Sequence, residues 1–262
     1  MLVRELLIRL GFTTDTKGAD AVDKKVNDIR GSADRAASSL FEMAGMFALL
    51  AGAVQITKVA DEMQSLEARI GQLPQTIGTA GESFDAVAAR ANNAKQSIEA
   101  YASFYIKAGN ATQDYIKDQE TLMKIVDGAA FGLAASGATA AGQSQAFFQL
   151  GQAIASPVVQ MEEMNTLIDV APDLFRALGD AIPGANGNLK KFISTGTVTG
   201  KMLPEGLMKV LPQFEDKMKK MPMSVGTATL LIGNKWAAFI NRMNRESSAI
   251  TTIANTFLAA FD

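Results

Sequence analysis

From Gly18 onward, apolar residues recur three and four positions apart, and no later run alternates strictly between apolar and polar. A chain with that period can bury its apolar stripes only by packing helix against helix. The one alternating stretch comes earlier, where Leu6, Ile8, Leu10 and Phe12 interleave with Leu7, Arg9 and Gly11. It fits a short N-terminal strand. Charges at Arg4, Glu5 and Arg9 break what would be the apolar region of a secretory signal. The expected fold class is therefore all-α: a multi-helix domain, a short N-terminal strand, and a long C-terminal helix that begins a coiled-coil rod. With 262 residues and 48% hydrophobic content, there is ample material for a core.

The pattern divides the chain into expected regions 1–58, 59–222 and 223–262. Ala19–Arg30 reads as a charged helix after the polar turn Thr13–Lys17. Phe84, Val87, Ala88, Ala91 and Ile98 share a face after a turn at Gly81–Ser83. Leu122, Ile125, Val126, Ala129, Ala130 and Leu133 form a second stripe. Phe147, Leu150, Gly151 and Ile154 form a third, ended by Ser156-Pro157. Pro172 suits the first turn of a short helix, and Pro204 starts another carrying Leu207, Val210, Leu211, Phe214 and Met218. Pro212 inside that last helix predicts a kink or break.

Two segments suggest association. Met43–Thr57 is the most hydrophobic stretch, and Ala44, Ala48 and Gly52 make a small-residue stripe that lets helix backbones approach closely or meet a membrane. Its length of about 23 Å as a helix falls short of the hydrocarbon core of about 30 Å. A buried or oligomer-facing helix is the expected state. Near the C-terminus, Trp236, Phe239, Met243, Glu246, Ile250, Ile253, Phe257 and Ala260 fall on a and d positions of a heptad. A period of about 3.5 marks a coiled coil, but over this length an ordinary packed amphipathic helix fits as well. The expected rod interface is Trp236, Phe239, Met243, Ile250, Ile253 and Phe257. Asp262 follows Phe257, Leu258 and Phe261 with no helix terminator, so the pattern is expected to continue past it.

The absence of histidine and cysteine narrows the chemistry. Structural zinc sites, disulfides, thiol catalysis and Ser-His-Asp triads are excluded. A carboxylate-only metal site, a Ser–Lys dyad or a carboxylate-pair glycosidase remains formally open. The near-motifs are incomplete. Gly196–Lys201 is one residue short of a phosphate loop, and Met202 stands where a Ser or Thr should bind magnesium. Gly142–Ala146 approximates a nucleophile elbow with no strand before it. Asp61-Glu62 and Glu162-Glu163 are sequence neighbours, which point about 100° apart on a helix and make no preset acid–base couple. No cofactor or metal is expected. With 25 basic and 27 acidic residues spread along the chain, no sequence-specific nucleic-acid surface is expected either. Lys217, Lys219 and Lys220 among Met218, Met221 and Met223 form a basic, Met-rich patch, either an adaptable partner surface or a solvated helix end.

A longer likeness runs through the middle of the chain. Ala60–Arg69 (ADEMQSLEAR) resembles the opening of the N-terminal domain of phage tail tape measure proteins. The likeness continues at Ser97–Tyr101, Phe104-Tyr105 and Ala135–Ala138, and is strongest at Phe148–Ser156 (FQLGQAIAS) and Glu162–Ile168 (EEMNTLI). Ala171–Leu174 and Leu189–Phe192 follow in the family's order. The resemblance spans about Val59 to Leu207. Pro157-Val158-Val159 and Met161 depart from it at a turn between helices, where the family usually has small, basic or glycine residues.

The resemblance implies a virion structural protein that lies in the tail tube lumen and is made in the host cytoplasm. It implies an elongated homo-oligomer, usually a trimer, whose length sets tail length. The implied partners are the tail tube protein, a tail assembly chaperone and the tail tip or baseplate hub. The alternative is a membrane-active helical protein that contacts the host membrane and assists DNA passage through the envelope. As one continuous helix the chain would span about 390 Å, but its proline and glycine breaks show that much of it folds back.

Overall fold

The computed structural model describes residues 53–247. They form ten helices, with no strand among the described residues. In chain order these are α1 (Ala53–Gly71), α2 (Ala80–Asn93), α3 (Ile98–Thr112), α4 (Gln119–Ala135) and α5 (Ala140–Ala155). There follow α6 (Met161–Val170), α7 (Pro172–Ala181), α8 (Leu189–Ser194), α9 (Met202–Lys220) and α10 (Val225–Ser247). The chain divides into two compact units, Gln64–Trp236 on one hand and Met1–Met63 with Ala237–Asp262 on the other. In the latter, Ala60, Met63 and Ile240 are buried. The expected strand at Leu6–Phe12, the stripe Ala44, Ala48 and Gly52, and the positions Ile250, Ile253 and Phe257 lie outside the described residues.

Helix α4 is the centre of the Gln64–Trp236 unit. It packs most extensively on α9 and also touches α2, α3, α5 and α7. Its apolar residues extend well beyond one stripe, and Leu122, Ile125, Val126, Ala129, Ala130 and Leu133 are all fully covered. A helix apolar on most faces is stable only when enclosed on most faces. Gly128 and Gly132, four residues apart on α4, set how closely its neighbours come. A Cβ on Gly128 would lie 2.7 Å from the Leu207 carbonyl carbon of α9, and one on Gly132 would lie 2.6 Å from Leu174 Cδ1 of α7. The first contact is with backbone and has little room to yield.

Helix boundaries follow local chemistry. Thr79 and Glu82 form a reciprocal capping box at the start of α2, the Thr79 hydroxyl accepting from Glu82 N at 3.1 Å and Glu82 Oε2 accepting from Thr79 N at 2.7 Å. The expected turn at Gly81–Ser83 is therefore the first turn of α2. The side chains of Ser97, Asp118, Thr139 and Asn188 cap α3, α4, α5 and α8 one way only, each accepting from a backbone N–H of the first turn. Pro172 occupies the first turn of α7, as its sequence position predicts.

Of the kink or break expected at Pro212, a break is absent, since α9 runs through it without interruption. An interior proline costs about 3 kcal/mol. Burial of Leu207, Val210, Phe214 and Met218 along the same helix contributes about 1.5–3 kcal/mol per side chain, which is the larger effect. Pro212 itself lies on the exposed side.

Gly128→Ala should destabilise the protein by about 1–3 kcal/mol through overpacking against α9. Gly233→Ala, where an added Cβ meets no atom within 4 Å, should be neutral or stabilising. Urea denaturation compares the two, and equal midpoints would contradict this account of α4.

Candidate functional site

The helix read as the start of a rod, α10, is fastened near its middle to the junction of α2 and α3. Asn234 is buried there, with 5% exposure. Its Nδ2 donates to Asn92 Oδ1 at 2.9 Å and to the Gln96 carbonyl at 2.7 Å, while its Oδ1 accepts from Ile98 N at 3.1 Å. Ile98 is the first residue of α3, so that N–H has no partner within its own helix. Ser97 caps Ala100 N, and Asn234 caps Ile98 N from another element. Gln96 ties the same junction to α4 by donating to the Ala130 carbonyl at 3.1 Å.

Of the expected rod residues, Trp236 and Met243 are half-buried on α10 and Phe239 is exposed. Ile240, outside that set, is buried. Sequence reasoning started its heptad at Trp236 and missed Asn234, two positions earlier.

The α2–α3 junction also borders a groove of about 590 Å³ between α2, α4 and α9. Arg90 and Asp127 line it and belong to a charge network in which Asp127 is buried and Glu120 exposed. Arg90 contacts Asp127 Oδ2 at 2.5 Å and Glu120 Oε2 at 2.6 Å, and the Tyr101 hydroxyl donates to Asp127 Oδ1 at 2.6 Å. Burial raises the Asp127 carboxyl above its usual range, against the opposing pull of Tyr101 and Arg90. Burial also works against the Arg90 charge, but Glu120 and Asp127 outweigh it and raise the guanidinium.

The basic, Met-rich patch divides at this groove. Met218, Lys219 and Met221 line it, whereas Lys217 pairs with Asp173 at 3.4 Å and lies over the Phe214 ring.

The near-motifs are structural. Gly142–Ala146 lies within α5, with no strand-to-helix turn. In Gly196–Lys201, Gly200 N donates to the Ser156 carbonyl at 3.1 Å, and a Cβ on Gly200 would lie 2.6 Å from the Ala153 carbonyl oxygen. The glycine is there for close packing on the end of α5. Glu163 caps α6, accepting from Gln160 N at 3.1 Å and the Ser156 hydroxyl at 2.6 Å. Glu62 pairs with Lys58 at 3.7 Å on α1. Among the described residues, no group of three or more acidic side chains is placed to hold a metal ion. No helix among the described residues is long and apolar enough to cross a membrane.

Two outcomes follow from this chemistry. Asn234→Ala leaves the Ile98 N–H and the Gln96 carbonyl without that partner in a buried site, and should cost about 1–3 kcal/mol. Chemical denaturation measures it, and a loss below about 0.5 kcal/mol would deny the clamp its weight.

The second outcome concerns alkaline pH. Burial raises the Tyr101 hydroxyl well above the ordinary tyrosine range, pushes Tyr105 to about 12 and raises Tyr115. An unfolded tyrosine titrates near about 10. The folded chain therefore holds protons that the unfolded chain has shed, and stability present below about pH 10 falls as pH rises toward 12. Phenolate absorbance should lag behind that of free tyrosine and then rise together with loss of helical circular dichroism. Ionisation of all three at the ordinary pH with helix intact would be the contrary result.

The chain matches the family model described as "Tape measure protein" over residues 54–245. Among curated proteins and among solved structures, nothing matches it. That family is a structural one and not an enzyme family. The matched span takes in the whole α2–α9 assembly, the Asn234 clamp and most of α10, and the chain belongs to the tape measure protein family of phage tails.

Proposed function

We propose that this chain is the ruler of a phage tail, setting its length while tube subunits polymerise around it. Membership of the tape measure family over residues 54–245 is the observation that carries this reading. In it, the Gln64–Trp236 unit serves as a folded head, and the heptad beginning at Trp236 leads into a rod. Trp236, Phe239, Met243, Ile250, Ile253 and Phe257 form the seam of a homo-oligomeric coiled coil, a trimer by family resemblance. Ala44, Ala48 and Gly52 serve close helix packing in the N-terminal region. The partners are the tail tube protein, an assembly chaperone that holds the rod beforehand, and the tail tip or baseplate hub. The protein works in the tube lumen after synthesis in the host cytoplasm. Its contribution is mechanical and spatial, without bond chemistry.

The test is a length change. Inserting about six heptads in register after Ser247, in the phage gene, should lengthen the tail by about 63 Å at about 1.5 Å per helical residue. Electron microscopy of mature virions reads it directly. Tails of unaltered length, assembled with the enlarged protein present, would remove the ruler role.

A further inference from the structure

The sequence holds one Asn–Gly pair, Asn186–Gly187, and it lies in the connection between α7 and α8. Asparagine before glycine is the dipeptide most prone to spontaneous deamidation, because glycine has no side chain to hinder attack by its own backbone nitrogen. The Gly187 nitrogen loses its proton to hydroxide and bonds to Asn186 Cγ. The bond from Cγ to Nδ2 breaks, and Nδ2 takes a proton from water and leaves as ammonia. Water then opens the cyclic imide at either carbonyl, giving aspartate or isoaspartate. Asn186 and Gly187 are both exposed, so water and hydroxide reach them. Burial gives this pair no protection.

The backbone conformation protects it instead. Asn186 and Gly187 have φ of 47° and 77°, and Asn188 N donates to the Ala185 carbonyl at 2.8 Å across them. That is a type I′ turn, in which ψ of the first central residue is about +30°. The Gly187 nitrogen then points away from the Asn186 side chain, and ring closure requires the Asn186–Gly187 peptide to turn over. Gly187 N, the attacking atom, is itself held, donating to the Gly179 carbonyl of α7 at 3.0 Å. Gly179 allows that approach, since a Cβ there would lie 3.3 Å from Gly187 C and O and from Leu189 N, all backbone atoms. Asp180 Oδ1 lies 3.2 Å from where a Cβ on Gly187 would be, and its negative charge opposes loss of the amide proton.

We propose that Asn186 is a latent deamidation site, reacting only when the connection between α7 and α8 opens. The turn cannot flip its central peptide while Gly187 N is bound to Gly179 and Asn188 N to Ala185. The rate in the folded chain is therefore the rate of the free segment multiplied by the fraction of time the connection is open. The change runs one way. Isoaspartate places an additional carbon in the backbone, so the turn cannot close again on the same two bonds. Each reaction leaves a permanent mark of an opening. This chemistry is independent of length control, and its test succeeds or fails without bearing on tail length.

The test incubates the full chain in mildly alkaline buffer and follows the Asn186 peptide by mass spectrometry, with asparagine, aspartate and isoaspartate forms separated by chromatography. The reference is the same chain unfolded in guanidinium chloride. Conversion should be at least about tenfold slower in the folded chain. Gly179→Ala, which presses on the backbone of the turn, should speed conversion of the folded chain about threefold or more. Asn188→Ala removes the cap on Lys191 N at the start of α8, should act in the same direction, and carries the test if Gly179→Ala does not fold. Neither variant should change the rate in guanidinium chloride. The control Gly233→Ala, distant in sequence and with open space for its Cβ, should alter the folded rate by less than about twofold. Circular dichroism verifies each fold. Equal rates in the folded and unfolded chains would overturn the proposal, as would a folded rate that neither Gly179→Ala nor Asn188→Ala changes.

Discussion

The approach of α9 to α4 at Gly128 is the constraint on which the rest of the Gln64–Trp236 unit depends. Because Gly128 has no side chain, the α9 backbone at Leu207 can come against α4. That proximity lets α9 bury Leu207, Val210 and Phe214 despite carrying Pro212. Gly132 does the same for Leu174 of α7, one turn further along. Two glycines on one helix thus determine the spacing of three helices. The backbone freedom that glycine brings to the unfolded chain, worth about 0.5–1 kcal/mol, is small beside the apolar surface those contacts enclose.

The helical class and most helix interiors were legible because apolar periodicity is a local signal. The stripe from Leu122 to Leu133 lies entirely in α4, and Phe147 to Ile154 lies in α5, where the pattern put them. What escaped were features whose causes lie far along the chain. Gly128 reads in sequence as a weak point in a helix, and only Leu207 explains it. Pro212 reads as a break, and only the packing of α9 on α4 overrides it. The Thr79–Glu82 box was present in the sequence, but Gly81 beside it resembled a turn. Lys95 carried no stop signal, because the left-handed residue ending α2 is not a glycine.

The groove between α2, α4 and α9 shows the same division. Lys219, Met218 and Met221 stood out as a patch because they are neighbours in sequence. Lys95, Lys124 and Phe131 join them only when α2 and α4 are folded against α9. Asn234 is the clearest omission. A polar residue just before an apolar heptad looks like solvated surface, and its meaning comes from Asn92, Gln96 and Ile98, more than a hundred positions earlier. Conversely, Gly200 and Glu163 looked like fragments of chemistry and prove to be a close-packing position and a helix cap.

The Asn234 clamp has a mechanical consequence. A pull along α10 from beyond Asn234 enters the folded unit partway along the helix, through an amide held at three points to the α2–α3 junction. Because Gln96 carries the same junction to α4, tension is passed toward the most enclosed helix and not taken up only at the Met221–Ser224 turn before α10. Load shared among several buried hydrogen bonds resists peeling better than load on a terminal turn. Such a joint lets α10 transmit strain while the Gln64–Trp236 unit keeps its fold.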